Sequence, residues 1–295
     1  MEPTLHQVTC PNIKSLRVQA TGFHHMHYME WGNPNAKRTV LCIHGLTRNS
    51  RDFDTLACQL ANNGYRVICP DITGRGKSPW LPQPKWYGYP LYVSDIFTML
   101  VHLEISTIDL VGTSMGGIIG ILMEATAPHV INRLVLNDVG AFIPKASLNR
   151  IGTYIGKNEL FPDKDTAMKC LKSDMATFGI NEEWQWEHLF KHGFTEEKDG
   201  GYRYAYDPAI ANAFRTASGR LKKMPDINIW RQWNSISCPT LLLRGENSDL
   251  LQEETAQKMA KAENVSLHTL ANIGHAPMLM EKEQTDLVTN WLVQN

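Results

Sequence analysis

The chain has 295 residues, of which 43% are hydrophobic and 20% charged, and this composition is ordinary for a globular protein with a core of normal size. Lys and Arg number 29 and Asp and Glu 30, so a net charge of −1 gives no indication of nucleic acid or an anionic membrane as a partner. No apolar run approaches the ~20 residues of a membrane-spanning helix.

The first residues, Met1–His6, are polar and lack the basic start and apolar run of a signal peptide. The six cysteines are scattered without paired spacing, which indicates reduced thiols rather than a disulfide framework or a zinc site. We therefore expect a cytoplasmic protein, a monomer or a homodimer, that binds a small molecule and needs no metal.

Short apolar runs alternate with helical patterns along most of the chain. Near the N-terminus, Leu16–Gln19 and His25–Trp31 alternate apolar and polar residues, as half-buried antiparallel strands do. Later runs predict strands that are covered on both faces: Thr39–Ile43, Arg66–Cys69, Ile108–Val111, Leu134–Leu136, Thr240–Leu243 and Val265–His268. Apolar residues at helical spacing predict helices between them: Phe53–Ala61, Leu91–Leu103, Met115–Ala127, Glu253–Ala262 and Glu281–Val293. This alternation predicts an α/β fold with a mostly parallel, doubly wound sheet.

The alternation stops in residues 141–235. This segment is rich in aromatic side chains, such as Phe161, Phe190 and Tyr204, and so many large apolar groups are unfavourable in water. The sequence therefore predicts a sheet domain formed by residues 1–140 and 236–295, with residues 141–235 inserted as a helical lid, or cap.

Ser114 lies in a G-x-S-x-G pentapeptide, Gly112–Gly116, between an apolar strand and a helix. A Ser on such a sharp turn projects its oxygen away from the backbone, and the crowded turn accepts only small residues two before and two after it. The helix N-terminus also favours developing negative charge. The pattern predicts that Ser114 is a catalytic nucleophile.

Acyl transfer needs two N–H donors directed at the oxyanion of the tetrahedral intermediate. The backbone N–H of Met115, directly after the nucleophile, is the first candidate. A second is expected from the loop after an earlier strand, in His44–Leu46, and Leu46 is the simplest choice. His44 itself stands on the strand side of Gly45, and we interpret it as structural.

A general base and an orienting carboxylate are expected late in the chain. His275 lies in a loop bounded by Gly and Pro, from which an imidazole can reach Ser114. Glu246 and Asp249 both follow the strand Thr240–Leu243, and Asp249, deeper in its loop, is the predicted carboxylate. Asp138, which follows an earlier strand, remains a rival for this role.

These segments together resemble the α/β-hydrolase superfamily, in its capped branch. The stretch Asp71–Ser78 matches the D-x-x-G-x-G-x-S turn of that branch, in addition to the motifs around Ser114 and His275. The resemblance implies that Ser114 attacks a carbonyl, that His275 accepts its proton, that Asp249 orients His275, and that water hydrolyses the acyl-enzyme. It implies no cofactor.

The sequence differs from several motifs of this branch, and these differences argue against some of its reactions. Epoxide hydrolases and haloalkane dehalogenases have an Asp nucleophile where this chain has Ser114. Leu46–Ser50 replaces the Ser-x-Gly-Pro-Gly stretch that C–C bond hydrolases usually carry, and Leu46 and Thr113 fit haloperoxidases poorly. The predicted function is a serine hydrolase of a carboxyl ester, a lactone or a hydroxyacyl oligomer. A C–C bond hydrolase acting on a vinylogous diketone with the same triad, and a non-enzymatic binding module, are the alternatives.

Overall fold

The computed structural model describes residues 1–13, 20–156, 159–198, 200–216 and 219–294. The predicted strand Leu16–Gln19 lies outside these residues. Among the helices that are described, none is both long and apolar enough to cross a bilayer.

Eight strands of the described chain form one large sheet: β1 Thr4–Ile13, β2 Ala20–Trp31, β3 Thr39–Ile43, β4 Arg66–Pro70, β5 Ile108–Thr113, β6 Ile131–Asn137, β11 Thr240–Gly245 and β12 Val265–Leu270. Their order in the sheet is β1-β2-β4-β3-β5-β6-β11-β12. The two N-terminal strands pair antiparallel, β2 joins β4 antiparallel, and all the remaining neighbours are parallel. The mostly parallel sheet predicted from the apolar runs is thus confirmed.

Helices cover both faces of this sheet and bury its apolar residues in two cores. The helices are α1 Asp54–Asn62, α2 Tyr89–His102, α3 Met115–Thr126, α8 Glu253–Met259 and α9 Lys282–Gln294. Leu56 and Leu60 of α1 and Leu292 of α9 belong to the core on one face. Residues of α2, α3 and α8, such as Ile96 and Ile119, belong to the core on the other. The doubly wound arrangement follows because buried strands need apolar cover on both sides.

The described residues between β6 and β11 add no strand to the large sheet, and we call residues 141–235 the insert. Its elements are β7 Phe142–Ile143, α4 Lys145–Tyr154, α5 Lys164–Asp174, α6 Glu183–Gly193, β8 Phe194–Glu196, β9 Tyr202–Tyr204, a 3-10 helix Pro208–Phe214, β10 Ile227–Asn228 and α7 Trp230–Trp233. Phe161, Phe190, Phe194 and Tyr204 pack against one another, with ring centroids between 4.5 and 5.7 Å apart in the contacting pairs. These aromatic residues belong to a third apolar cluster, which Met278 and Met280 of the sheet domain join. Other aromatic residues of the insert, Tyr206, Phe214 and Trp233, pack into a core of the large sheet.

Candidate active site

Ser114 occupies the turn between β5 and α3, with the unusual backbone angles φ 51° and ψ −113°. Non-glycine residues with such angles cost about 1–3 kcal/mol and occur mainly at functional sites. The two glycines of the pentapeptide make this turn sterically feasible. A Cβ at Gly116 would stand 2.0 Å from the carbonyl oxygen of Ile43, and a Cβ at Gly112 would stand 2.5 Å from the backbone nitrogen of Gly117.

A hydrogen-bonded chain connects Ser114, His275 and Asp138. The Ser114 hydroxyl is 3.0 Å from Nε2 of His275, and Nδ1 of the same ring is 2.7 Å from Oδ2 of Asp138. With the proton on Nδ1, the ring donates to the carboxylate and presents the Nε2 lone pair to the serine. The loop between β12 and α9 carries His275, as the sequence indicated. This is the geometry that a general base needs to activate a hydroxyl nucleophile.

Asp138 is the first residue after β6 and is completely buried. Its Oδ1 accepts the backbone N–H of Gly245 at 2.8 Å, and its Oδ2 accepts the Ser248 hydroxyl at 2.6 Å besides the imidazole N–H. Three donors therefore satisfy a buried carboxylate that would otherwise be very unfavourable. The role of Ser248 is not apparent from the sequence, where it is only a neighbour of Asp249.

The prediction that Asp249 contacts His275 is wrong. The Asp249 side chain is 47% exposed and forms a two-point ion pair with Arg150 of α4, with N–O distances of 2.6 and 2.8 Å. The other carboxylate of that loop, Glu246, accepts the backbone N–H of Asn272 at 2.9 Å. The rival candidate, Asp138, occupies the position beside the imidazole.

Leu46 and Met115, the predicted oxyanion donors, both line the cavity above Ser114. A Cβ built on Gly45 would lie 3.9 Å from the Cβ of Ser114, so this loop approaches the nucleophile closely. Within the described chain, neither the N–H of Leu46 nor that of Met115 donates to another protein group. Both donors are therefore available to a bound oxygen, although their role as an oxyanion hole remains a prediction.

His44 supports the same loop. It is fully buried, and burial lowers the pKa of its imidazole to about 3, so the ring is neutral. Its Nδ1–H donates to the carbonyl of Gly45 at 2.7 Å, and its Nε2 accepts the backbone N–H of Ile72 at 3.0 Å. Both ring nitrogens are engaged, which agrees with the structural role that the sequence indicated.

Arg75 is a fully buried arginine that contacts both predicted oxyanion residues. Its Nε donates to the carbonyl of Leu46 at 2.9 Å, and its Nη2 lies 3.6 Å from Sδ of Met115. Its Nη1 donates to the carbonyl of Thr73 and to the hydroxyl of Tyr92. Among the described residues no carboxylate forms an ion pair with this guanidinium.

A cavity of about 270 Å³ lies over Ser114 and His275, between the sheet domain and the insert. Most of its wall is apolar, and the insert contributes Ile143, Leu148, Ile151, Tyr154, Leu171, Met175, Phe178, Tyr204, Tyr206 and Phe214. The Tyr204 hydroxyl donates to Asp174 at 2.7 Å on the same wall. Arg48, also in the wall, forms an ion pair with Asp52 at 2.6 Å and is therefore neutralised.

Two groups of potential metal ligands occur in the described chain, and neither includes Ser114 or His275. His188 and His192, four residues apart on α6, approach Asp54, but Arg51 donates to both carboxylate oxygens of Asp54 and places a positive charge there. The second group is buried at the seam between the N-terminal strands and α2, and it is taken up below.

Comparison with known proteins places this architecture in a family. A model of the Alpha/beta hydrolase family matches residues 40–288. The chain is 37% identical over 271 residues to a 3-hydroxybutyrate-oligomer hydrolase of Cupriavidus necator, an alignment that covers 90% of this chain and 92% of that protein.

Solved structures agree with this assignment. A putative hydrolase from Rickettsia typhi has a TM-score of 0.91 at 36% identity, with 99% of both chains covered. An alpha/beta hydrolase from Novosphingobium aromaticivorans has a TM-score of 0.87 at 31% identity, covering 100% of this chain and 99% of that one. The predictions of an α/β-hydrolase fold and of a hydrolytic enzyme are confirmed, and the chain belongs to the alpha/beta hydrolase family.

Proposed function

We propose that this protein hydrolyses carboxyl esters through an acyl-enzyme formed on Ser114. One observation carries the proposal: the hydrogen-bonded chain from Ser114 through His275 to the buried Asp138, at the floor of an apolar cavity. A serine hydroxyl is a weak nucleophile until an adjacent base accepts its proton. Here the base lies within hydrogen-bonding distance, and a carboxylate orients it.

In the proposed reaction the Ser114 oxygen attacks the ester carbonyl while His275 Nε2 accepts the hydroxyl proton. The N–H groups of Leu46 and Met115 bind the oxyanion that forms. His275 then gives the proton to the departing alkoxide, which leaves as the alcohol. A water molecule attacks the acyl-enzyme in the same way and releases the acid. Asp138 stabilises the imidazolium and holds the tautomer with Nδ1 protonated.

We further propose short oligomers of 3-hydroxy acids as the substrate class, with the insert acting as the lid over them. The relative from Cupriavidus necator, named as a 3-hydroxybutyrate-oligomer hydrolase, aligns over nearly the whole chain. The cavity volume of about 270 Å³ is small for a ligand pocket, since ~300–1,000 Å³ is usual for drug-sized molecules. It suits a few methyl-bearing ester units rather than a polymer chain.

A substrate panel tests this proposal. We expect the linear trimer of 3-hydroxybutyrate to be hydrolysed with a kcat/KM at least ~10-fold above that of p-nitrophenyl butyrate, since additional ester units fill more of the apolar wall. If p-nitrophenyl butyrate is hydrolysed with a higher kcat/KM than the trimer, the protein hydrolyses esters but the proposed oligomer substrate is wrong. Cleavage of a vinylogous diketone dienoate, but of no ester, would instead establish the C–C bond hydrolase.

Arg75 provides a test of the oxyanion geometry. Replacing it with Lys keeps a positive charge but removes the planar fork that reaches Leu46 and Thr73 together. We expect Arg75→Lys to lower kcat by up to ~10²-fold with little change in KM, because small displacements of catalytic donors are costly. Steady-state kinetics on one ester would measure kcat and KM separately.

The matched control is Arg133→Lys, since Arg133 forms a two-point ion pair with Asp109 and does not line the cavity. This variant should retain kcat. If Arg75→Lys is folded and turns over as fast as Arg133→Lys, the guanidinium does not position the oxyanion donors.

A further inference from the structure

A buried cluster of a thiol, an imidazole and a carboxylate lies where the first two strands meet α2. Cys10 of β1 and His24 of β2 are directly opposite each other in the antiparallel register. Asp95 of α2 packs against this pair, and one ligand atom from each of the three residues lies within 4.8 Å of the others. The exposed fractions are 0% for Cys10, 8% for His24 and 1% for Asp95.

The imidazole of His24 is oriented as a metal-ligating histidine commonly is. Its Nδ1 lies 2.8 Å from Oδ1 of Asn12, a side-chain carbonyl that accepts the Nδ1–H. The Nε2 atom faces the cluster, 3.0 Å from Oδ2 of Asp95 and 3.2 Å from the hydroxyl of Thr73. A hydrogen bond on the distal nitrogen fixes both the tautomer and the ring orientation of such ligands.

One carboxylate oxygen of Asp95 has no hydrogen-bond partner among the described residues and is available to coordinate a metal ion. Its Oδ2 accepts the Thr73 hydroxyl at 2.8 Å and contacts His24. Its Oδ1 is buried and has no hydrogen-bond partner in the described structure. Because buried carboxylate oxygens are almost always satisfied, an orphaned oxygen on the carboxylate of this cluster is an independent indication that the cluster receives a cation.

We infer that Cys10, His24 and Asp95 bind a zinc ion, with the Thr73 hydroxyl in reach as a fourth ligand. Sulfur, nitrogen and oxygen donors in one site are typical of zinc. A thiolate and a carboxylate balance the 2+ charge, and the thiol proton passes to solvent on binding. Ligand atoms around tetrahedral zinc are roughly 3.5 Å apart, so the side chains need to move by only about an ångström.

The scattered cysteines did not indicate this site, because its members come from two strands and a distant helix. His24 lies on the opposite face of β2 from its neighbours His25 and His27, so these two histidines are not part of the ligand set. The pairing of β1 with β2 places Cys10 beside His24, and the packing of α2 brings Asp95 to this pair.

Metal analysis of the full chain, made without a polyhistidine tag, tests the inference. We expect about one zinc per chain by elemental analysis after dialysis against metal-free buffer, and removal of the zinc by a strong chelator. Added Co²⁺ should then produce the near-ultraviolet charge-transfer band of a thiolate ligand. A chain with no stoichiometric metal and no such band would overturn the proposal, and this measurement depends on no variant.

Variants locate the metal. Cys10→Ser should lose the charge-transfer band, and His24→Gln should lower zinc content at least ~10-fold. Cys238→Ser, which removes a buried thiol outside the cluster, should change neither. Unaltered zinc content in both Cys10→Ser and His24→Gln would place the metal elsewhere and refute the site.

A metal ion that binds only the folded chain stabilises it. Chelation should lower the Tm of the wild-type chain by about 5 °C or more and leave the Tm of Cys10→Ser unchanged. An equal Tm loss on chelation in wild type and Cys10→Ser would contradict the proposal.

Discussion

Replacing Ser114 with Ala is expected to lower kcat for an ester by about 10⁶-fold, the loss found when a serine-hydrolase nucleophile is removed. The substitution deletes only the oxygen that attacks the carbonyl and leaves the backbone of the turn in place. Alanine keeps the Cβ atom of serine and loses only the oxygen, so we expect the backbone to keep its φ of 51°. Steady-state hydrolysis of p-nitrophenyl butyrate and of the 3-hydroxybutyrate trimer would measure the loss, and labelling by a fluorophosphonate should disappear with it.

Ser235→Ala is the matched control. Its hydroxyl lies in an exposed turn and donates to the carbonyl of Gln232, and Ser235 does not line the cavity. It should retain full activity and probe labelling, which excludes a contaminating esterase as the source of turnover. Both variants should unfold at the wild-type Tm. A folded Ser114→Ala chain that still hydrolyses esters at the control's rate would refute Ser114 as the nucleophile.

The sheet and its helices were largely readable from the sequence, because buried parallel strands leave short apolar runs that few other structures produce. The strand Thr39–Ile43 agrees to the residue, and helix α3 ends one residue before its predicted limit. Strand β1 was not predicted. Along Thr4–Asn12 only one face of the strand is buried, at Val8, Cys10 and Asn12, and Pro11 interrupts the pattern. Its pairing with β2 is a long-range contact that local propensity does not encode.

The site was only partly readable for a related reason. Ser114 and His275 are identified by local features, a glycine-bounded turn and a loop after the last strand. The carboxylate is not, because β6 and β11 are neighbours in the sheet and each is followed by an aspartate. The two aspartates differ in how far each lies from the end of the strand that precedes it. Asp138 follows β6 directly and points into the protein, whereas Asp249 lies beyond the end of β11 and turns outward to Arg150 of the insert.

Replacing Asp138 with Asn is expected to lower kcat by about 10⁴-fold, the effect known for the orienting aspartate of such a triad. An amide NH₂ at this position cannot accept the Nδ1–H of His275 and favours the tautomer that protonates Nε2, which then cannot accept the serine proton. The amide also disturbs the bonds from Gly245 and Ser248, so we expect about 1–3 kcal/mol of lost stability. Activity should therefore be measured well below the Tm of the variant.

Asp249→Asn separates the two aspartates in one experiment, since it makes the same chemical change. It breaks a half-exposed ion pair with Arg150, which is worth only ~0.2–1 kcal/mol, and leaves the imidazole untouched. Its kcat should stay within about twofold of the wild-type value. The two variants should be compared under conditions in which their Tm values are as similar as possible. The reverse outcome, a large loss in Asp249→Asn and a small one in Asp138→Asn, would mean that His275 changes partner when substrate binds. The hydrogen bond between His275 and Asp138 would then belong to a resting state, and the loop carrying Asp249 would have to break from α4 before each turnover.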